Sequence, residues 1–355
     1  MDQTPTQTQT PTQTQTPTAT QTQTPTPTPT TNLAIRDFPT NGIVSGKYLL
    51  LDSRLKTDKN GKPYINGVLG DNTGKISLKI WGAGQEFQEQ ITPGCVIEIR
   101  NAQVREFNGF LQIELDAARK NTYQIYEADS EEVIALLPVT PSDRDELWQQ
   151  IETAVASVTA THYKNLLQRI FGNKETQRLF RNIPAGARKH HAYIGGLMEH
   201  TARVAALCVK MAQVYPEADH NLLVAGALLH DIGKIETYNL SRGFDMTDDG
   251  RFFGHLVIGA RLVEQEITRM RTDEGLAFPE QAAQKLLHLL LSHHGTLEWG
   301  SPVEPLILEA CLLHHADNLD AQAMRFGAAR RDAVGKDWVY DETLARTIFV
   351  GDADV

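Results

Sequence analysis

Cysteine is scarce in this chain. Its three copies, Cys95, Cys208 and Cys311, lie far apart and form no CxxC pair. That argues against a disulfide framework and a zinc finger, and it fits a reducing, cytoplasmic setting. Long apolar runs are missing too. No stretch of about 18 consecutive apolar residues occurs, so no membrane span and no membrane partner is expected. The N-terminal residues carry neither a basic segment nor an apolar one, so they do not read as a secretory leader. Excess positive charge is also absent. The formal net charge is −10, so any contact with nucleic acid must be made by a local surface. What remains is 41% hydrophobic residues over 355 positions, enough for real cores and for two or three domains.

Residues 1–31 are almost entirely Thr, Gln and Pro. Nothing there can bury surface, and repeated Pro blocks regular structure, so a disordered, locally polyproline-like spacer is expected. Residues 32–128 change to strand periodicity. Tyr48–Leu51, Tyr64–Leu69, Ile76–Ile80, Val96–Ile99 and Phe110–Leu115 are separated by turn signals at Asn60-Gly61, Asn72-Thr73-Gly74, Pro93-Gly94 and Asn108-Gly109. A short helix over Gln85–Gln90 interrupts the series. Five strands with one small helix between the third and fourth is the order of an OB-fold barrel. This segment holds twelve Lys and Arg against eleven Asp and Glu, mixed with the aromatics Tyr48, Tyr64, Trp81, Phe107 and Phe110. Stacking aromatics beside a basic groove can hold a single strand. Tyr64, Trp81 and Phe107 are the stacking candidates, with Arg54, Lys56, Lys62 and Lys79 as phosphate contacts. For any one aromatic, a place in the barrel core competes with that role.

Residues 129–189 read as a helical connector. Ser142-Asp143 starts a helix carrying Leu147, Trp148, Ile151, Val155 and Val158 at helical spacing, and a second helix carries Leu166, Leu167 and Ile170. These are packing surfaces with no chemistry, and His162 among them reads as an ordinary surface residue. From His190 onward the composition changes again, because eleven of the twelve histidines lie in residues 190–355. The organising stretch is Leu222–Ile235, an apolar helix that runs into His230-Asp231 and turns at Gly233 before Lys234. Two titratable groups at the end of a buried helix are costly unless they are bonded or bind a metal. His200 in a helix, His255 after Phe252-Phe253-Gly254, His293-His294 after Leu286–Leu291, and His314-His315 with Asp317 after Leu306–Leu313 repeat that placement. Several helices delivering imidazole and carboxylate inward can hold divalent metals in a bundle core. Such ligands suit Mn²⁺, Fe²⁺, Co²⁺, Ni²⁺ or Zn²⁺, and Mg²⁺ if water fills most positions.

The order His200, His230-Asp231, Asp317 resembles the HD metal-dependent phosphohydrolase superfamily. The segments HHAYIGGLMEHT, HDIGK, GHLVIGA, SHHG and HHADNLDA together resemble the YhaM-type 3′-to-5′ exoribonuclease family, in which an OB-fold precedes the HD domain. The similarity spans roughly residues 33–330 and leaves the tail outside. The resemblance implies an all-β OB-fold barrel followed by an all-α HD domain. It implies that His200, His230, Asp231 and Asp317 hold one metal, and that His255 and His293 complete a second site with Asp231 bridging. His294 would be an additional ligand or a solvent-facing histidine. His190, His191 and His315 would stand behind the ligands or on the substrate side, His220 and His288 would be structural, and Lys234 would touch the scissile phosphate. Manganese leads the expected pair of metals. The implied activity is hydrolysis of single-stranded RNA from its 3′ end by a metal-activated water, with Asp231 and Lys234 as the catalytic pair. Single-stranded DNA stays open as a substrate and a homo-oligomer as an assembly. A phosphohydrolase of small nucleotides or cyclic dinucleotides is disfavoured by the barrel and by the absence of a GYP motif after SHHG. A non-catalytic single-stranded-DNA-binding protein is disfavoured by the complete ligand series.

Overall fold

The computed structural model describes residues 1, 32–107, 110–186, 191–241, 243–273, 275–332, 337–341 and 344–351. The tail 2–31, His190 and the Asn108-Gly109 turn lie outside the described residues. After a 3-10 turn at Ile35–Asp37, the N-terminal domain opens with a single long strand, β1 (Gly42–Thr57), which extends well beyond the Tyr48–Leu51 run. Register shifts between Val44 and Gly46 and between Leu50 and Asp52 bend it, so it pairs with β4 (Val96–Phe107) along its first half and with β2 (Pro63–Asp71) along its second. β2 continues antiparallel into β3 (Gly74–Trp81), helix α1 (Gln85–Gln90) leads to β4, and β5 (Phe110–Asp116) runs parallel to β3 and antiparallel to β4. The ring β1-β2-β3-β5-β4 closes on itself, which is the OB topology, and β6 (Tyr123–Tyr126) adds to β4.

Alternation decides the two faces. Ile65, Leu69, Ile76, Leu78, Ile80, Val104 and Ile113 point inward and are buried. Tyr48 joins them. It stood among the stacking-type aromatics by composition, yet it is fully buried, packs edge-on to Phe38, and its hydroxyl donates to the Leu33 carbonyl at 2.7 Å. Its phenol finds a buried acceptor, so it serves the core.

Helices α2 (Ser130–Leu136), α3 (Arg144–Ser157), α4 (Thr161–Gly172) and α5 (Lys174–Phe180) follow. They are not a free-standing connector. Leu147, Trp148, Ile151, Leu166, Leu167 and Phe180 belong to the same apolar cluster as α6 (Gly196–Val214) and α7 (His220–Leu229). α7 is buried over the whole of Leu222–Leu229, as an all-round apolar helix must be. The short α8 (Lys234–Thr237) and the hairpin β7 (Tyr238–Asn239) with β8 (Asp245–Met246) lead to α9 (Asp248–Thr272), which kinks at Gly254. α10 (Glu280–Ser292) and α11 (Leu308–Asp332) complete the bundle. A second hairpin, β9 (Trp338–Asp341) with β10 (Arg346–Phe349), follows, so the all-α expectation misses two small β elements. The domains meet through Leu49 and Val96 of the barrel, Val133, Leu136 and Leu137 at α2, and Ile194. Lys47 pairs with Glu132 across that junction at 2.7 Å.

Trp148 tests the continuity of the helical core. Its ring sits edge-on to Phe171 and Phe180. Trp148→Ala should destabilise the helical domain by about 3–5 kcal/mol. Denaturant unfolding followed by helical circular dichroism reads that loss, whereas a mere connector helix would leave the main transition unmoved.

Candidate metal centre and strand-binding face

Asp219 caps α7, accepting from the amides of Asn221 and Leu222 at 2.9 and 3.2 Å. At the other end His230 remains helical, and Asp231 follows at the turn. Gly233 has helical backbone angles (φ −61°, ψ −16°), so a left-handed turn is not its reason for being glycine. A Cβ there would overlap the His255 carbonyl oxygen and lie 2.5 Å from Gly259 N. Glycine lets the HD turn press directly on the α9 backbone, and this brings His255 to Asp231.

The imidazoles share one design. His230 Nδ1 donates to the Ala227 carbonyl at 2.8 Å, and His293 Nδ1 to the Leu290 carbonyl at 2.8 Å. His294 Nδ1 donates to the Trp299 carbonyl at 2.9 Å, and His200 Nδ1 to Asp320 Oδ2 at 2.7 Å. Each Nδ1 is thereby fixed as a protonated nitrogen, which leaves Nε2 as the lone-pair donor wherever the ring is neutral. The Nε2 atoms of His200, His230 and His293 converge on Asp231. Its Oδ2 lies 3.4 Å from both His200 Nε2 and His230 Nε2, and His200 Nε2 is 3.1 Å from Asp317 Oδ1. On the other side, Asp231 Oδ1 is 3.3 Å from His255 Nε2 and 3.7 Å from His293 Nε2. Ligand atoms of His255, His293 and His294 also lie within 4.8 Å of one another. Among the described residues, Asp231 Oδ1, His255 Nε2 and His293 Nε2 are buried with no hydrogen-bond partner. Three orphaned lone-pair atoms facing one another are costly as they stand and fit divalent cations.

Electrostatics prepares these groups. Burial opposes the charge on Asp231, but Lys234, donating from Nζ to Oδ2 at 2.6 Å, and His230 beside it hold the carboxyl well below its ordinary range. Burial lowers His230; burial together with the Lys234 charge pushes His255 far down, and burial with His293 brings His294 to about 4. These rings are neutral at pH 7, as ligation requires. His200 differs. Burial lowers it, yet its bonds to Asp317 and Asp320 outweigh that and raise it to about 9.

Several partners escape sequence reading. Asp320 accepts from His200 and also lies 2.9 Å from His191 Nε2, tying a residue with a strained backbone (φ 50°) to the cluster. Buried Glu199 accepts from Thr140, Ser142 and Tyr193 at 2.5, 3.0 and 2.7 Å and pairs with Arg203. The available signal for Asp320 is its spacing of one turn after Asp317 on α11. His314 donates from Nδ1 to the His293 carbonyl at 2.9 Å and lines the same cavity as Asp231, while the other histidines are peripheral. His315 is exposed and stacks on His314, His288 Nε2 accepts from Leu306 N at 2.9 Å, and His220 sits 3.3 Å from Ser157 Oγ. His162 corrects the surface expectation, since it is half-buried between Tyr163 and Phe278.

On the barrel, register places the strand-binding candidates on the outer face. Lys56, Tyr64 and Trp81 form one cross-strand row, and Arg54, Asn66 and Lys79 the next. Tyr64 and Trp81 rings pack 4.9 Å apart, Lys79 lies 5.6 Å from Trp81 and 4.8 Å from the exposed Phe107, and Phe110 beside it is exposed too. Lys62 sits in the exposed turn before β2, and Arg54 is paired with Asp52 at 3.3 Å.

The barrel topology and the His/Asp centre define an OB-fold joined to an HD-type metal-dependent phosphohydrolase domain, and the HD domain family model matches residues 197–322. The 3′-5′ exoribonuclease YhaM of Oceanobacillus iheyensis is 31% identical over 284 residues, 80% of this chain and 86% of that one. Its counterpart in Bacillus subtilis strain 168 is 29% identical over 277 residues, 78% and 84% of the two chains. A solution structure of the OB domain of Ta0387 from Thermoplasma acidophilum covers 27% of this chain and 85% of that one, at 22% identity and a TM-score of 0.22. The chain belongs to the YhaM family of 3′-5′ exoribonucleases.

The HD domain implies dependence on divalent metal, and the raised His200 sets its pH behaviour. Below about pH 9 its proton competes with a cation for Nε2. Mn²⁺ affinity should therefore climb with pH, by up to about tenfold per unit between pH 6.5 and 8.5. Manganese titration followed by electron paramagnetic resonance measures this; a flat profile would remove His200 from the ligand set.

Proposed function

We propose that the protein is a 3′-to-5′ exoribonuclease in which residues 32–128 hold a single strand and residues 190–355, buttressed by 129–189, cut it. The observation that carries this reading is the set of bare, buried lone pairs around Asp231, beside a cavity of about 730 Å³ that Lys234 and Asp317 line. His200, His230, Asp231 and Asp317 would hold one metal, and His255 and His293, with Asp231 shared, a second, with His294 as an added ligand. Bound divalent ions would supply a nucleophile at neutral pH and charge neutralisation at a phosphate. Lys234 lines the cavity with its ammonium on Asp231, so it can place positive charge against a phosphate oxygen as negative charge develops there. Asp320 positions His200, and the Ala227 and Leu290 carbonyls position His230 and His293. Manganese leads among the metals, with Mg, Co, Fe, Ni and Zn compatible with the N/O donor set. Single-stranded RNA is the proposed substrate and single-stranded DNA the second. A homo-oligomer is compatible with the fold. Among the described residues no helix is long and apolar enough to cross a membrane, and the free cysteines fit a cytoplasmic setting.

The test is digestion of 3′- and 5′-labelled single-stranded RNA and DNA with Mn²⁺ or with EDTA. Asp231→Ala should fold and lose hydrolysis entirely, and EDTA should reproduce that loss in the parent chain. Full activity in either case would sink the reading. On the barrel, Trp81→Ala or Phe107→Ala should weaken binding of a long single strand by about 1–3 kcal/mol per lost stack. Cleavage of a dinucleotide, too short to reach the barrel, should hold in both variants, and equal loss on both substrates would overturn the division of labour.

A further inference from the structure

The cavity in front of the His/Asp centre does not end there. Its wall includes Arg325 of α11, and Arg325 also lines a second cavity of about 570 Å³ that reaches the β2–β3 turn of the barrel at Thr73 and Lys75. The two openings therefore meet on one helix. Asp317, Ala321, Arg325 and Ala328 recur at three- and four-residue spacing along α11, so they share a face, and Arg331 follows one turn later. At about 1.5 Å per residue, the stripe from Asp317 to Arg331 is about 21 Å long. The alanines leave its floor low. Arg346 of β10 stands over the Phe326 ring at 5.9 Å and lines the first cavity from the other side.

The arginines on this path need a partner. Among the described residues, no ion pair is seen for Arg325, Arg331 or Arg346. Asp341 lines the same groove, but three guanidinium groups and Lys75 outnumber it, so in a chain of net charge −10 positive potential is concentrated on one strip. Guanidinium groups match phosphate oxygens in a planar, two-point geometry. Beyond Lys75 the outer face of β3 carries Ser77, Lys79 and Trp81 in alternation, about 20 Å of strand leading to the aromatic face. We propose that the α11 groove is the track of the phosphate backbone between barrel and metal centre, with Lys75, Arg331, Arg325 and Arg346 as successive phosphate contacts. The polymer's identity as a single-stranded nucleic acid rests on the nuclease reading above; the track itself rests on the groove.

The experiment measures binding without turnover. A fluorescein-labelled oligouridylate of about twenty nucleotides is titrated by anisotropy into the full chain carrying Asp231→Ala, with Mn²⁺ present, at several salt concentrations. Arg325→Glu and Arg331→Glu, each added singly, should raise Kd about tenfold or more and reduce the salt slope by about one. Lys285→Glu makes the same charge change on the exposed side of α10 and should stay within twofold. Arg331→Gln serves if the glutamate variant fails to fold, with a smaller rise in Kd and the same loss of slope. Unchanged Kd and slope in both Arg331 variants would overturn the track. Because the readout is binding, failure of the parent chain to degrade RNA would count against the nuclease reading and leave the groove to be judged by its own Kd values.

Discussion

Everything in the helical domain depends on a carboxylate kept charged where water cannot reach it. Asp231 is nearly inaccessible to solvent, and only Lys234 compensates its charge with a direct bond among the described residues. Its second oxygen faces the Nε2 atoms of His255 and His293, and burial keeps the His255 ring neutral. Without Lys234, an anion in such a core would be unfavourable by several kcal/mol, and the lone pairs aimed at Asp231 Oδ1 add to that cost. The surrounding packing tolerates this because α7 is apolar on every side and the cost is spread over a large cluster. The arrangement makes chemical sense as a vessel for cations, with the backbone carbonyls at Ala227 and Leu290 and the Asp320 carboxylate keeping each ring from turning away.

The two domains contribute different kinds of binding energy. Aromatic faces around Tyr64, Trp81 and Phe107 can meet any base, because every base has a π-face. The acidic residues near them, Glu114 and Asp116, share cross-strand rows with Lys79 and Trp81 and temper the positive potential. On the proposed reading, the barrel would therefore give moderate, sequence-tolerant and salt-sensitive contact. That suits a protein whose overall charge would repel a polyanion at a distance. Attraction has to begin locally, and the geometry between barrel and His/Asp centre decides how far along a strand it extends.

Legibility followed the range over which each residue's role is decided. His230-Asp231 could be read because the placement recurs at His200, His255, His293 and Asp317; alone, the pair would pass as an ordinary helix C-terminus with Gly233 after it. The barrel could be read because inward alternation and glycine-rich turns are local signals. Asp320 could not, since an aspartate on a long helix looks solvated until the fold brings His191 and His200 to it. The same holds for Glu199, whose partners Thr140 and Ser142 come from a stretch that reads as mere connector. Tyr48 and His162 were misplaced for the converse reason: nothing in their own neighbourhood shows that other segments cover them. Gly233 was recognisable as a turn glycine, but its purpose, the close pass of α9, is set by a helix more than twenty residues away.

That close pass bears on how nucleotides come and go. The HD turn and the α9 backbone touch through Gly233 and Gly259 with no side chain between them. His230-Asp231 and His255 are thereby held at a spacing set by backbone packing and not by side-chain rotation. On the proposed reading, the two would meet a scissile phosphate as one face, and the strand would move against it between cuts.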